Sequence, residues 1–294
     1  MVNTRILERR LGWRHGEDGE TPEPPLRARA HAPMLQGRVE PRSRTPGRTQ
    51  RRLAVEDAWD ALPRIDETPE TLVKMAGLVP AIGREAPAGA VMDQLRTQVM
   101  RVLKENGWRR IGVTSPSRGA GRSFMAAGLA ASIARLDGVR VLLVDADLES
   151  PDLHRVLHVD PPGPLEDILS GQRSPDAQIL RIGDRLAVVT NDTPVPYATE
   201  AMLSPDGILA FRAMIDLLEP DVVLHDMPPL LGNSLSEAML PQLDAVLLIS
   251  DGMRNTAQDI IECERILENQ VPVLGVVLNK SEDRGPRPRA RRRF

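Results

Sequence analysis

The sequence predicts an α/β domain, a mostly parallel sheet with helices on both faces, preceded by a largely disordered N-terminal region. Three observations lead there. From about Ala90 onward, short apolar runs alternate with helical patterns, the signature of βαβ units. One run, VRVLLVDAD, is continuously apolar, as a strand covered on both faces must be. Residues 1–88 are rich in Pro and Arg without a sustained apolar period, so they cannot bury enough surface to offset their ordering entropy.

The elements follow in order. VMDQLRTQVMRVLKENG has a helical period, with its methionines toward the core, and stops at Asn106-Gly107. Strands are expected at 109–115 (RRIGVTS) and 139–145, with a small-residue helix at 123–136 between them. A short helix (PLEDILSG), a strand (LAVVTN) and a longer helix (PDGILAFRAMIDLLEP) precede a strand at 221–226. The helix SLSEAMLPQL, a strand at 244–250, the helix TAQDIIECERILENQ and the strand PVLGVVLN complete the pattern. Within residues 1–88, two pieces have helical character, 4–11 and 54–60 around Trp59; each reads as a docking segment or a transient helix.

Composition narrows the classes. Of 294 residues only 2% are aromatic, so the core must be aliphatic. A single cysteine, Cys263, excludes an intramolecular disulfide framework; it reads as a buried structural thiol. No apolar run approaches the ~18 residues that cross a bilayer, and the charged N-terminus has no signal-peptide core, so a cytoplasmic location is expected. The Arg-rich stretch before Ala54 reads as a solubilising linker. The basic tail, RGPRPRARRRF, reads as solvated, with weak contact to an anionic membrane surface as the alternative. No nucleic-acid partner is expected.

The chemistry concentrates in IGVTSPSRGAGRSF, which runs from strand to glycine-rich loop to helix. Such a P-loop curls backbone N–H groups around phosphate and aims a helix N-terminus at it. Gly119 and Gly121 occupy the turn, and the cradle extends through Ala120, Arg122, Ser123 and Phe124. Arg122 stands where a lysine normally reaches the β/γ-phosphates, and Ser123 where a hydroxyl ligates Mg²⁺. Asp145 and Asp147 end one strand and Asp226 another. Three carboxylates at strand ends beside a phosphate loop are what Mg²⁺-ATP requires. The expected boundaries are therefore 1–88, a nucleotide-binding domain at 89–283, and a tail at 284–294.

Other residues read more plainly. His225 alternates inward on an apolar strand and reads as a packed core histidine. His154 and His158 have an i, i+4 spacing without the acidic or cysteine partners of a metal site.

These segments resemble the deviant-Walker MinD/ParA superfamily. Within it they are most similar to bacterial tyrosine kinases and polysaccharide chain-length regulators of the CpsD/CapB/Wzc type. The matching runs are TSPSRGAGRS, LLVDADLESPDLH, VVLHDMPP, LDAVLLIS and VLGVVLN. The resemblance implies that Ser123 and Asp226 handle Mg²⁺, that Asp145 and Asp147 serve catalysis, and that Asn279 contacts adenine. It implies a role in exopolysaccharide or capsule biosynthesis, a membrane co-polymerase or chain-length protein as partner, a peripheral place at the inner membrane through that partner, and homo-oligomers. The departures are specific. Arginine replaces the Walker lysine, and Glu149 and Ser150 replace basic residues. Of the family's Glu-x-x-Arg-x-x-Arg ring pattern, Ala90, Asp93 and Arg96 retain the last arginine alone. One tyrosine, Tyr197, stands in place of a C-terminal cluster. The leading reading is an ATP-binding, kinase-like protein, an ATP-dependent tyrosine kinase if active; the combined changes add a second, a regulatory pseudokinase with low turnover. A MinD/ParA-like positioning ATPase is the alternative, weakened because Ser117-Arg118-Gly119 replaces its lysine signature.

Overall fold

The computed structural model describes residues 48–65 and 87–281. The helix expected at 4–11 and the tail at 284–294 lie outside the described residues. Helix α1 (Arg48–Ala61) comes first. Helix α2 (Pro87–Asn106) then leads into β1 (Arg110–Thr114), α3 (Arg122–Ala134) and β2 (Val141–Asp145). Two five-residue helices follow, α4 (Leu153–Leu157) and α5 (Leu165–Leu169), then β3 (Ile179–Ile182) and β4 (Leu186–Val189). Helices α6 (Ala198–Leu203) and α7 (Pro205–Leu218) precede β5 (Val222–Asp226). The chain closes with α8 (Ser234–Met239), β6 (Ala245–Asp251), α9 (Ala257–Leu267) and β7 (Val273–Asn279).

The strands form one seven-stranded sheet in the order β3-β4-β2-β5-β1-β6-β7. Every neighbouring pair is parallel except β3 with β4. On one face Met92, Leu95, Val99 and Leu103 of α2 and Leu129 and Ile133 of α3 pack against Ile111, Val113, Leu143 and Leu224. Buried Ala126, Ala127 and Ala130 carry no bulk that would hold α3 off the sheet. On the other face Phe211, Met214 and Leu218 of α7 join Val144, Val223 and Leu248. Among the described residues no helix is long and apolar enough to cross a membrane.

Residues 48–65 lie in the region expected to be largely disordered, and of the two readings of 54–60 the structure shows the docking segment, in a longer helix. Helix α1 packs on the domain through Val55, Ala58, Trp59 and Leu62, one stripe at helical spacing. Trp59 is fully buried, and its Nε1 donates to the Leu218 carbonyl at 2.8 Å. The Arg140 guanidinium lies 5.2 Å from the ring centroid, within cation–π range. Beyond the helix, Arg64 bridges to Arg181 of β3, Ile65 N–H donates to the Arg181 carbonyl at 2.9 Å, and Arg181 N–H donates to the Pro63 carbonyl at 2.8 Å. The segment thus covers an α7 face and continues the sheet edge. Strand β3 and the short helices α4 and α6 were absent from the sequence reading.

Candidate functional site

The glycine loop joins β1 to α3 at the carboxyl edge of the sheet. Gly119 and Gly121 have φ of 84° and 90°, a backbone that side chains rarely tolerate. A Cβ on Gly121 would run into the Asn279 amide, and one on Gly119 would meet Arg254 at 3.3 Å. The loop is braced from below. Thr114 Oγ1 donates to the Pro228 carbonyl at 2.6 Å, and Leu230 N–H donates to the Ser115 carbonyl at 2.8 Å. Arg118, Gly119, Gly121, Arg122, Ser123 and Phe124 line a cleft of about 410 Å³, which Ser150, Asp152 and Val156 close. Ala120 is buried beneath it.

The three aspartates meet here. Asp145 and Asp226 are register partners on adjacent parallel strands, so their Cα atoms lie about 4.8 Å apart. Asp145 is fully buried; its Oδ2 accepts from Leu153 N–H at 3.1 Å, and its Oδ1 has no hydrogen-bond partner. Both carboxylate oxygens of buried Asp226 also lack one. Burial, reinforced by the charge of Asp226, raises the Asp145 carboxyl well above the usual carboxylate range. Burial likewise raises Asp226 to about 7, against the opposing influence of the nearby Ser123 hydroxyl and the Arg122 charge. Three orphaned carboxylate oxygens beside a serine hydroxyl are costly unless a cation satisfies them. Among the described residues no cluster of three acidic, histidine or cysteine side chains could hold a metal alone. The buried oxygens of Asp145 and Asp226 beside Ser123 are a donor set of the kind that Mg²⁺ uses, since that ion takes one or two carboxylates and completes its shell with phosphate and water.

Arg122 does not point freely into the cleft. The side chain is 8% exposed; Nη1 donates to Ser115 Oγ at 3.0 Å and Nη2 to Asp147 Oδ2 at 3.0 Å. Arg118 holds the same Asp147 oxygen at 3.1 Å and Glu149 at 3.3 Å. Burial raises the Asp147 carboxyl even so, with the two arginines opposing, and burial lowers the Arg122 guanidinium. Asn279 Nδ2 donates to the Ala120 carbonyl at 2.8 Å, so the last strand abuts the loop.

Several site neighbours escaped the sequence reading. Lys280 donates to the Gly119 carbonyl and lies 3.5 Å from Asp251 Oδ2. Its signal was its place directly after Asn279. Asn233 Nδ2 donates to Glu149 Oε2 at 2.7 Å and ties the start of α8 to the Arg118 network. Asn255 Nδ2 reaches Ser117 Oγ at 2.9 Å. No local motif marks these residues, since each is placed by a distant loop.

The remaining singled-out residues lie elsewhere. Asp93 accepts from Ser132 Oγ at 2.7 Å and from Arg135, while Arg96 donates to the Ser132 carbonyl at 3.0 Å. Both therefore tie α2 to α3 within the chain. Cys263 is buried on α9, its thiol pushed up to about 12 by burial. His225 is 5% exposed, lowered to about 4 by burial, with neither ring nitrogen hydrogen-bonded. His158 is exposed and ends α4 at φ 53°.

Comparison with known proteins bears on the family and the fold. Residues 111–291 match the family model described as the CobQ/CobB/MinD/ParA nucleotide binding domain. The chain is 32% identical over 198 residues to the putative tyrosine-protein kinase EpsB of Ralstonia nicotianae, covering 66% of this chain and 26% of EpsB. It is 27% identical over 188 residues to the tyrosine-protein kinase YwqD of Bacillus subtilis, covering 63% of this chain and 78% of YwqD. The succinoglycan biosynthesis transport protein ExoP of Rhizobium meliloti is 28% identical over 211 residues, 67% of this chain and 26% of ExoP. The chain thus spans about a quarter of the length of EpsB and ExoP. Among solved structures, the kinase domain of Escherichia coli tyrosine kinase ETK superposes with a TM-score of 0.59 at 25% identity, over 66% of this chain and 76% of that one. The chimerical protein CapA2B2 superposes at 0.61 with 23% identity, over 75% of this chain and 93% of that one, a likeness of fold.

Proposed function

The chain belongs to the CobQ/CobB/MinD/ParA nucleotide-binding family, and on that premise we propose that it is an ATP-binding, tyrosine-kinase-like protein of exopolysaccharide biosynthesis with low turnover. The observation that carries this reading is the buried Asp145–Asp226 pair, with its orphaned oxygens beside Ser123 and the glycine loop. The relatives' names supply the pathway: EpsB and YwqD are named tyrosine kinases and ExoP a succinoglycan transport protein.

Each residue has a role in this proposal. The loop amides from Gly119 to Ser123, with the start of α3, hold the phosphates. Phe124 lines the cleft and Asn279 borders the base. Ser123 and Asp226 hold Mg²⁺, whose charge offsets that of the phosphates when bound. Asp145 or Asp147 orients an attacking hydroxyl or takes its proton. That oxygen bonds to the γ-phosphorus as the bond to the β-phosphate oxygen breaks, and ADP leaves. Arg122 neutralises charge in the ground state; interactions equal in ground and transition states give binding without rate. The low-turnover, regulatory reading rests on its engagement with Asp147. The proposed partner is a membrane polysaccharide co-polymerase or chain-length protein, which would bring this chain to the membrane surface.

Calorimetric titration of the full chain with Mg²⁺-ATP and Mg²⁺-ADP tests the site, and is expected to give saturable binding. ADP release and phosphotyrosine formation on the same protein test the chemistry, and are expected to be slow and absent. Lack of binding at millimolar nucleotide would overturn the site assignment; rapid hydrolysis or phosphotyrosine would overturn the regulatory reading.

A further inference from the structure

Strand β5 delivers Asp226 to the glycine-loop site and, one residue earlier, His225 to a separate cavity. This second cavity has a volume of about 580 Å³ and lies between β5, α7 and the residues leading into β1 and β6. None of the residues lining it also lines the glycine-loop cleft. The His225 imidazole is 5% exposed, lines the cavity, and has no partner on either ring nitrogen. Native folds rarely leave a buried polar group in that condition.

The walls and the rim differ in character. Phe211, Ile215 and Val223 give the interior an apolar side. At the rim, Arg51 pairs with Glu219, and Arg110 pairs with Asp244 at 3.0 Å. Two guanidiniums remain: Arg109 and Arg212 are exposed and make no side-chain hydrogen bond or ion pair with any described residue. Asp216 is the one rim carboxylate outside those two pairs. Cations at the mouth, an apolar wall and a hydrogen-bonding ring within form the pattern of a small-ligand site.

We propose that this cavity binds a small phosphate monoester with an aromatic or apolar body. Arg109 and Arg212 take the phosphate oxygens, since the guanidinium fork matches phosphate geometry. The body lies along Phe211 and Ile215, and His225 bonds a polar group at its far end. The proposal is independent of the nucleotide reading, because the two sites share no residue.

Phenyl phosphate is the probe. The full chain, labelled on its five histidines, is first loaded with Mg²⁺-ADP so that the glycine loop is filled. The imidazole signal of His225, assigned by its loss in His225→Phe, is then followed by NMR during titration. A saturable shift of that signal is expected. Arg109→Gln/Arg212→Gln should weaken the binding by at least about tenfold, the scale of one lost charge-assisted hydrogen bond. Both arginines are exposed, so the core survives their exchange. Inorganic phosphate and phenol should each bind at least about tenfold more weakly than phenyl phosphate. No movement of the His225 signal up to about 10 mM, enough to saturate a millimolar site, would overturn the proposal. So would equal binding by phenol, equal binding by inorganic phosphate, or an affinity untouched in the double variant.

Discussion

Arg122→Lys is expected to raise ATP turnover. In the resting site the guanidinium is already engaged, with Nη1 on Ser115 Oγ and Nη2 on Asp147 Oδ2, each at 3.0 Å. A phosphate must therefore compete with Asp147 for the cation. A hydrogen bond to a charged group contributes about 1.5–3 kcal/mol. If one such contact has to break on the way to the transition state, the step slows by about 10- to 150-fold. A lysine ammonium is a compact charge on a flexible stem and cannot grip both walls as a fork does. Turnover in Arg122→Lys should then rise at least about tenfold, while Mg²⁺-ADP affinity changes much less. Coupled measurement of ADP release, with calorimetry on both proteins, reads the two quantities separately. Unchanged turnover in a variant that binds nucleotide normally would refute the idea that the tie to Asp147 limits the rate.

Three further outcomes follow from the geometry. Ser123→Ala should reduce the Mg²⁺ dependence of nucleotide binding more than the affinity for metal-free nucleotide, read by titration with and without chelator. Trp59→Ala should destabilise the domain by about 3–5 kcal/mol, the range for emptying a buried aromatic site, read by urea unfolding; limited proteolysis of the unmodified chain should retain α1, and a stable core beginning near Pro87 would contradict its docking. Asp226→Asn should stabilise the metal-free protein increasingly with pH. The Asp226 carboxyl is raised from 3.8 to about 7, so its contribution is full below about pH 4 and is lost as pH rises through about 7. Asparagine does not titrate. The variant's advantage in Tm should therefore grow from about pH 4 to about pH 7 and then level; an advantage that shrinks over that window would contradict the buried-acid reading.

What the sequence disclosed, and what it hid, follows from the range of the forces involved. The strand at Val141–Asp145 declares itself locally, because burial on both faces demands an unbroken apolar run; Arg110–Thr114 and Val222–Asp226 hold shorter apolar stretches, IGV and VVL, and are marked by their place in the alternating pattern. Asp145 and Asp226 are legible as site residues because a carboxylate at the end of such a strand must emerge at the sheet's carboxyl edge. That they would be register partners depended on β5 lying between β1 and β2, which no local pattern states. Arg122 was legible as a substitution but not as an engaged group. Its partner Asp147 is 25 residues away and belongs to another loop.

Helix α1 was legible only as a short helical piece at 54–60 and strand β3 not at all, and each explains the other. The stripe Val55, Ala58, Trp59, Leu62 is diluted by Arg, Glu and Asp, so its hydrophobic period is weak on its own. Strand β3 is four residues long and contains a buried arginine, Arg181, which argues against a strand as long as its partners are unknown. Those partners come from α1. Arg181 Nη1 donates to the Trp59 carbonyl at 2.6 Å and to Asp60 at 3.0 Å, across 122 and 121 residues of chain. In return, Arg181 closes the end of the helix and positions the Trp59 backbone, while the indole reaches Leu218 on α7. Neither element buries its polar groups acceptably without the other. Read singly, each looks like a solvated or irregular stretch; read as a pair, they satisfy one another. Within the region expected to be largely disordered, the ordered part described is therefore the one where a low-hydrophobicity segment meets a buried charge in need of acceptors.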